Sequence, residues 1–134
     1  MRALLLALLL SGVACPALAT DWVLLAAHDD ESVALFYDPH SVRVSGDIVH
    51  VRVKRVFSWQ EGRDLGGEHG FSGPVAYSVE QVVLDCAAER LTRRSAVWVG
   101  VGGKMLDRTA PSSGNRWIRM HPGGFGRALC DELD

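Results

Sequence analysis

The positions of three cysteines restrict the folds open to this 134-residue chain more than any other feature of its sequence. Cys15 lies near the N-terminus, Cys86 ends an apolar run, and Cys130 lies close to the C-terminal Asp134. A cysteine at the end of such a run can be a buried thiol, a nucleophile, a metal ligand or half of a disulfide. The compartment in which the protein folds decides between these roles.

The first 19 residues have the three parts of a secretory signal peptide. Arg2 supplies a positive start, "ALLLALLL" forms an apolar core, and "ALA" places small residues directly before Thr20. The apolar core is well short of the roughly 20 residues that span a bilayer, so a membrane anchor or a buried helix is the weaker interpretation. We therefore predict an exported protein with a signal peptide over residues 1–19 and a single domain over residues 20–134.

Cys15 offers a second way of processing the N-terminus. It follows "SGVA", which partly resembles the site at which bacterial lipoproteins are cut and acylated, but Gly12 stands where that pattern has leucine. We prefer cleavage before Thr20 and leave acylation of Cys15 open, because acylation is the one condition under which we expect the protein to be held on a membrane. The expected location is the periplasm or the surface of the outer membrane.

Cleavage before Thr20 leaves Cys86 and Cys130 in an oxidising compartment, where a pair of cysteines forms a disulfide by default. A structural zinc site takes four ligands at short spacings, and the sequence contains neither CxxC nor HxxxH. A thiol nucleophile would need a reducing partner in such a compartment. The prediction is a Cys86–Cys130 disulfide, with no metal and no cofactor.

The charge balance argues against nucleic acid as a partner. Loss of Arg2 with the signal peptide leaves 13 basic and 16 acidic residues, a net charge of −3. A chain with that balance has no overall attraction for a polyanion, so any basic binding surface must be local.

Apolar and polar residues alternate along most of the chain, which is the pattern of half-buried β-strands. The clearest run covers residues 47–59. One face of it carries Val49, Val51, Val53, Phe57 and Trp59, and the other carries His50, Arg52 and Lys54. Further strands are predicted over residues 21–27, 32–38, 75–86, 89–101, 104–109 and 116–121.

Several residues should interrupt this pattern. Pro39 lacks an amide hydrogen and is expected to break its strand. Arg55 falls on an otherwise apolar face, which indicates a bulge or an edge. A bulge at Glu80 and Gln81 would bring the apolar residues on either side of it to one face. Residues 60–74, rich in glycine and charge, are predicted to be the longest loop.

The C-terminal tail is predicted to be helical. Phe125, Leu129 and Leu133 are spaced four apart, as one face of a helix would be. A helix of this length is not stable alone in water, so Cys130 would be needed to hold it against the strand that carries Cys86.

The order of these features resembles the surface-adhesin protein E family of bacterial exported proteins. The resemblance is carried by "DW" at the start of the mature chain, "FYDPHSVRVSGDIVHVRV", "VVLDCAAERLTR" and "RWIRMHPGGFGRALC", although Gly124 stands where the family often has serine. It implies an α+β fold, in which a curved antiparallel sheet of about six strands carries a short C-terminal helix tied to it by a disulfide. It also implies adhesion to host extracellular-matrix proteins.

Six basic residues are the candidate binding site. They lie on or directly after two predicted strands: His50, Arg52, Lys54, Arg90, Arg93 and Arg94. If these strands are neighbours, the side chains could form a positive patch for an anionic partner such as a sulfated glycan or a lipid head group. The alternative, which we prefer at this point, is a solvated outer face with acidic neighbours.

The sequence contains no catalytic constellation. "GVGGK" at residues 100–104 has the wrong spacing for a phosphate loop, and Met105 stands where Ser or Thr would bind Mg²⁺. "HDDE" at residues 28–31 is better explained as a solvated turn than as a metal site. There is no GxSxG, and the five histidines are scattered. Trp59, Trp98 and Trp117 are expected in the core or on a sheet face.

Together these features predict a binding domain and not an enzyme. The leading interpretation is an adhesin-like module at the bacterial surface, with a protein or glycan as its ligand. The alternatives are a soluble periplasmic protein with a structural or envelope-maintenance role and, more weakly, an enzyme with an unrecognised site. Edge strands of the sheet could also pair two copies into a homodimer.

Overall fold

The computed structural model describes residues 20–27, 31–109 and 116–134 of the chain. The expectations for the signal peptide, for residues 28–30 and for the loop at residues 110–115 lie outside the described residues. Within the described ranges, no helix is long and apolar enough to cross a membrane.

The described residues form one antiparallel sheet and two helices. The elements are β1 (Val23–Ala27), β2 (Val33–Ser45), β3 (Ile48–Phe57), α1 (Trp59–His69), β4 (Val75–Asp85), β5 (Arg90–Gly100), β6 (Met105–Thr109), β7 (Ile118–Arg119) and α2 (Phe125–Glu132). Strands β1 to β6 follow one another across the sheet in sequence order, and β7 pairs with β5. The predicted α+β fold is confirmed.

The sheet has a helix-bearing face and an open face. Residues paired across neighbouring strands project to the same side, so the register assigns each side chain to a face. Val51 pairs with Val82 and Val49 with Leu84, and all four are buried on the helix-bearing face. They pack with Leu129 of α2 in the core. The alternate residues lie on the open face, where none of the described helices packs.

The C-terminal helix is held to the sheet as predicted. Cys86 is disulfide-bonded to Cys130, with 5.8 Å between their Cα atoms and a separation of 44 positions in sequence. Leu129 is completely buried beneath α2. A Cβ atom at Gly126 would lie 2.6 Å from Cδ2 of Leu91, so the absence of a side chain there lets the helix approach β5 closely. Because α2 has only eight residues, its stability comes from these contacts.

The prediction of a long loop at residues 60–74 was wrong, because α1 occupies most of it. The Ser58 side chain caps the helix by accepting a hydrogen bond from the Glu61 amide at 3.2 Å. Gly70 ends it in the left-handed conformation, with φ of 67°. Glycines that resemble loop residues in sequence therefore serve as helix caps and contacts. Trp59 begins this helix and is 60% exposed, so its expected place on a sheet face was also wrong.

The two buried glycines of α1, Gly62 and Gly66, lie where the helix has no room for a side chain. A Cβ atom at Gly62 would lie 2.0 Å from the carbonyl oxygen of Val75, and one at Gly66 would lie 2.5 Å from that of Gly73. The helix therefore packs its backbone directly against the chain that enters β4. Glycine disfavours helices in isolation, and here close tertiary packing overrides that preference.

Pro39 does not end its strand, since β2 continues to Ser45. The register with β3 shifts instead between Asp38, paired with Arg52, and Arg43, paired with His50. Within the shift, the Arg52 amide donates to Oγ of Ser41 at 2.8 Å. The Ser41 hydroxyl thus replaces a backbone acceptor for the Arg52 amide of β3. Strand β2 therefore accommodates Pro39 in a β-bulge and does not end there.

The predicted bulge at Glu80 and Gln81 of β4 was also wrong. Strand β4 runs in unbroken register against β3 along this stretch, and the extra residue opposite it is Arg94 of β5. Tyr77 and Val79 therefore lie on the open face, away from the core. The position that breaks the apolar pattern on the core side is Glu80 itself, which is only 1% exposed.

Candidate functional site

The open face gathers basic side chains from five strands. The register places His50, Arg52 and Lys54 of β3 on this face, with Arg43 of β2 opposite His50. Arg90 of β5, Arg108 of β6 and Arg119 of β7 project to the same side through their own pairings. Strand alternation is responsible, because every second residue of a strand faces the same way.

Arg52 is fixed on this face by a buried carboxylate. Its NH2 lies 2.5 Å from Oδ2 of Asp38, which is 3% exposed. Burial by itself raises the pKa of the Asp38 carboxyl. The hydrogen bonds from Arg52 and from the His40 amide, with the positive charges of both residues, outweigh that effect and hold the pKa below its ordinary value. Asp38 therefore stays ionised, and it serves to position Arg52.

Aromatic rings support the other cations. The Lys54 ammonium lies 4.5 Å from the ring centre of Tyr77 and 5.7 Å from that of Trp22. The Arg52 guanidinium lies 5.6 Å from the same Trp22 ring. Cation–π contacts of this kind hold a charged group in place and leave its hydrogen-bond donors free for a partner.

The same arrangement occurs around Arg90. Its Nε lies 3.1 Å from Oδ2 of Asp85, and its guanidinium lies 4.7 Å from the ring centre of Trp117. Asp85 also accepts a hydrogen bond from the Ala88 amide at 3.1 Å. Asp85, like Asp38, is buried and forms an ion pair with its arginine, so neither carboxylate is presented to solvent as a free negative charge.

Charge is therefore unevenly distributed over the molecule. Among the described strand residues, the open face carries six lysines and arginines against two buried acids, Asp38 and Asp85. The acids of the helices and of the chain end lie elsewhere: Glu61, Asp64, Glu68, Asp131, Glu132 and Asp134. A chain with a negative total charge thus has one positive face.

The structure brings four of the six predicted patch residues to one face. His50, Arg52, Lys54 and Arg90 share it, although β4 lies between the two strands that carry them. Arg93 pairs with Val82 and so projects to the helix-bearing face, where its Nε lies 3.0 Å from Oε2 of Glu80. Arg94 lies in the β5 bulge between the paired residues Arg93 and Ser95.

Sequence reasoning missed a second cluster, on the helix-bearing face. Glu80 forms ion pairs with Arg55 of β3 and Arg93 of β5, which flank it on either side. A cavity of about 230 Å³ opens beside them and is also lined by Arg94, Trp98 and Thr109. The sequence did carry a signal: both Arg55 and Glu80 occupy core-facing positions of their strands, where charged residues rarely lie without partners.

The six-strand meander, the disulfide-held helix and the open sheet face define a small disulfide-containing α+β domain. The chain belongs to the surface-adhesin protein E family, whose model matches residues 22–132. This confirms the resemblance found in the sequence. Membership of a surface-adhesin family implies an exported protein at the cell surface.

Solved structures of Haemophilus influenzae protein E share this fold. The selenomethionine form is 15% identical with a TM-score of 0.50, and the match covers 87% of this chain and 92% of that chain. Crystal form II is 17% identical with a TM-score of 0.50, and the match covers 84% of this chain and 90% of that chain. At these identities the likeness concerns the fold. A comparison with curated proteins gave no match.

Proposed function

We propose that this protein is a non-catalytic, adhesin-like binding domain that retains a sulfated extracellular glycan on its open face. The observation that carries the proposal is the charge distribution, in which the open face concentrates basic side chains in a chain with a negative total charge. Membership of a surface-adhesin family supports binding over catalysis.

The geometry of the open face favours a polymer over a small molecule. Neighbouring strands lie about 4.8 Å apart, so Arg90 of β5 lies roughly 10 Å or more from the row of cations on β3. Gln81 of β4, which pairs with Arg52, is exposed beside that row. A chain with regularly spaced sulfate groups can bridge the β3 row and Arg90, and arginine guanidinium groups bind tetrahedral oxyanions through paired hydrogen bonds.

The test compares two triple variants of the mature chain on immobilised heparin, as the sulfated glycan. The first variant, Arg43→Gln, Lys54→Gln and Arg119→Gln, removes open-face cations that have no buried acid partner. The second, Arg63→Gln, Lys104→Gln and Arg127→Gln, removes the same charge elsewhere. Arg52 and Arg90 are kept because their ion pairs with buried acids support the fold.

We expect the first variant to lose at least tenfold in affinity, about 1.4 kcal/mol, and the second to change by less than about twofold. Affinity of the parent protein should fall steeply with salt, because the contacts are between exposed charges. Equal losses of heparin affinity in both variants would mean that the protein is attracted by its basic residues in general and has no defined binding site on the open face. No retention of the parent protein at low salt would reject the proposal.

The proposal also gives the protein a location. We propose display on the outer surface of the cell in preference to a soluble periplasmic role, since an extracellular glycan is reachable only from outside. Protease added to intact cells should then cleave the protein, while a periplasmic marker in the same cells stays whole. Protection of both until the outer membrane is opened would favour the periplasmic, envelope-maintenance alternative.

A further inference from the structure

A carboxylate held by two arginines forms the base of a cavity on the helix-bearing face. Glu80 is 1% exposed, and burying an ionised carboxylate is unfavourable unless it is paired. Arg55 donates from NH2 to Oε1, and Nε of Arg93 lies 3.0 Å from Oε2. Glu80 thus joins guanidinium groups from β3 and β5 and sets their separation.

Aromatic side chains fix these guanidinium groups further. The Arg55 guanidinium lies 5.6 Å from the ring centre of Phe57 and 5.7 Å from that of Trp98. The Arg93 guanidinium lies 5.4 Å from the ring centre of Phe125, at the start of α2. Both groups are therefore ordered before any ligand arrives, which lowers the entropic cost of binding.

Arg55 and Arg93 bring more N–H hydrogen-bond donors to this cavity than Glu80 can accept. Each arginine carries five N–H donors, whereas the Glu80 carboxylate is the acceptor that both share. The buried Nε of Arg55 has no hydrogen-bond partner among the described residues, and Oε2 of Glu80 has only its ion pair with Arg93. A buried donor without a partner is uncommon in native proteins and needs an explanation.

The cavity beside these donors has the composition of an anion site. It has a volume of about 230 Å³ and opens to solvent, and its lining includes Arg55, Arg93, Arg94, Glu80, Trp98 and Thr109. Three arginines against one carboxylate leave an excess of two positive charges. Trp98 supplies an aromatic wall, and Thr109 supplies a hydroxyl group.

We propose that this cavity is a second binding site, for an oxyanion group carried on a ring of monosaccharide size. The excess charge and the fixed guanidinium groups select a carboxylate, sulfate or phosphate, and the part of Trp98 that lines the cavity packs against the ring. The volume is below the roughly 300 Å³ at which pockets for drug-sized ligands begin, so the ligand is small. This site lies on the opposite side of the sheet from the glycan site and does not depend on it.

The test follows the indole N–H signal of Trp98 by ¹⁵N NMR in the oxidised mature protein. The titrants are glucuronate, glucose 6-sulfate and glucose 6-phosphate, with glucose as the neutral control. Trp98→Phe assigns the signal among the four tryptophans. We expect a saturable shift with at least one anionic sugar, at a Kd of about 10 mM or tighter, and none with glucose. The three anionic sugars distinguish the oxyanion type.

Variants separate a binding site from a merely structural ion-pair cluster. Arg94→Gln and Thr109→Val change the cavity without touching Glu80, so the fold should be kept. Each should weaken binding at least threefold, whereas Arg63→Gln on α1 should leave it unchanged. The open-face triple variant should also bind as the parent does. Equal shifts with glucose, no saturable shift with any sugar, or indifference to both cavity variants would overturn the proposal.

Discussion

Tyr37 of β2 and Glu132 of α2 meet across the domain, with the Tyr37 hydroxyl donating to Oε1 of Glu132 at 3.4 Å. This contact fastens the last turn of α2, two residues beyond the disulfide at Cys130. The helix is thus held to the sheet at two points of different chemistry. Burial raises the pKa of Tyr37, and the charge and hydrogen bond of Glu132 raise it further.

Tyr37→Phe should lower the free energy of unfolding by about 1 kcal/mol at pH 7, since one hydrogen bond is lost. A raised pKa in the folded state means that this contribution is complete below the unfolded value, about 10. It should be lost as the pH rises through the folded pKa. Urea unfolding of both proteins at pH 7 and pH 10.5 should therefore show the difference narrowing at the higher pH. A difference in unfolding free energy that is the same at both pH values would contradict a stabilising hydrogen bond from Tyr37 to Glu132.

Asp38→Asn should destabilise the protein in a manner that depends on pH. A carboxyl whose folded pKa is lowered stabilises the fold above the unfolded pKa of about 3.9, and that contribution disappears as the pH falls through the folded value. The parent should therefore exceed the variant in stability at pH 7, with the two converging near pH 2. Thermal melting of both proteins between pH 2 and pH 7 measures the difference in stability. A difference that does not change with pH would show that the Asp38 charge, and with it the ion pair with Arg52, contributes nothing to stability.

Cys130→Ser should cost about 2–5 kcal/mol of stability, because the disulfide closes a long loop and holds a helix too short to persist alone. Cys86→Ser should match it. The decisive control is a reductant, which should lower the melting temperature of the parent to that of the variants and leave the variants unaffected. Equal melting temperatures for the parent and both variants in oxidising buffer would refute a stabilising role.

The glycines of α1 provide a matched pair. Gly62→Ala should destabilise the protein by about 1–3 kcal/mol, since the new Cβ atom meets the Val75 carbonyl and the helix must move. Gly67→Ala in the same helix should stabilise it by roughly 0.5–1 kcal/mol, because nothing lies within 4 Å of its added Cβ. Chemical denaturation of both variants measures the change in the free energy of unfolding. Changes of the same sign in the two variants would contradict the close packing of α1 at Gly62.

Local sequence patterns predicted the parts of the fold that local chemistry determines. The alternation of Val49, Val51 and Val53 identified β3 and its faces, and the position of Cys86 identified where α2 is attached. Helix α1 was missed because its glycines are explained by the backbone of Val75 and its neighbours, which are close only in the folded protein.

In the candidate site, too, the sequence predicted what depends on one strand and missed what depends on the pairing of several strands. Alternation within β3 correctly grouped His50, Arg52 and Lys54. Arg93 was grouped with them only because its strand also carries Arg90, whereas an odd separation in sequence puts the two on opposite faces unless a bulge intervenes. The bulge comes one residue later, at Arg94. Nothing in the sequence shows that Glu80 lies between Arg55 and Arg93, since that depends on the register of three strands.

The order of the strands has a consequence for how the chain can fold during export. Each strand from β1 to β6 pairs with the next one in sequence, so the sheet can grow strand by strand as the chain emerges. Only β7 and α2 must return to strands completed earlier. The part of the apolar side that α2 covers therefore stays exposed until the C-terminus arrives. During that interval the nascent protein is most exposed to aggregation and to envelope chaperones.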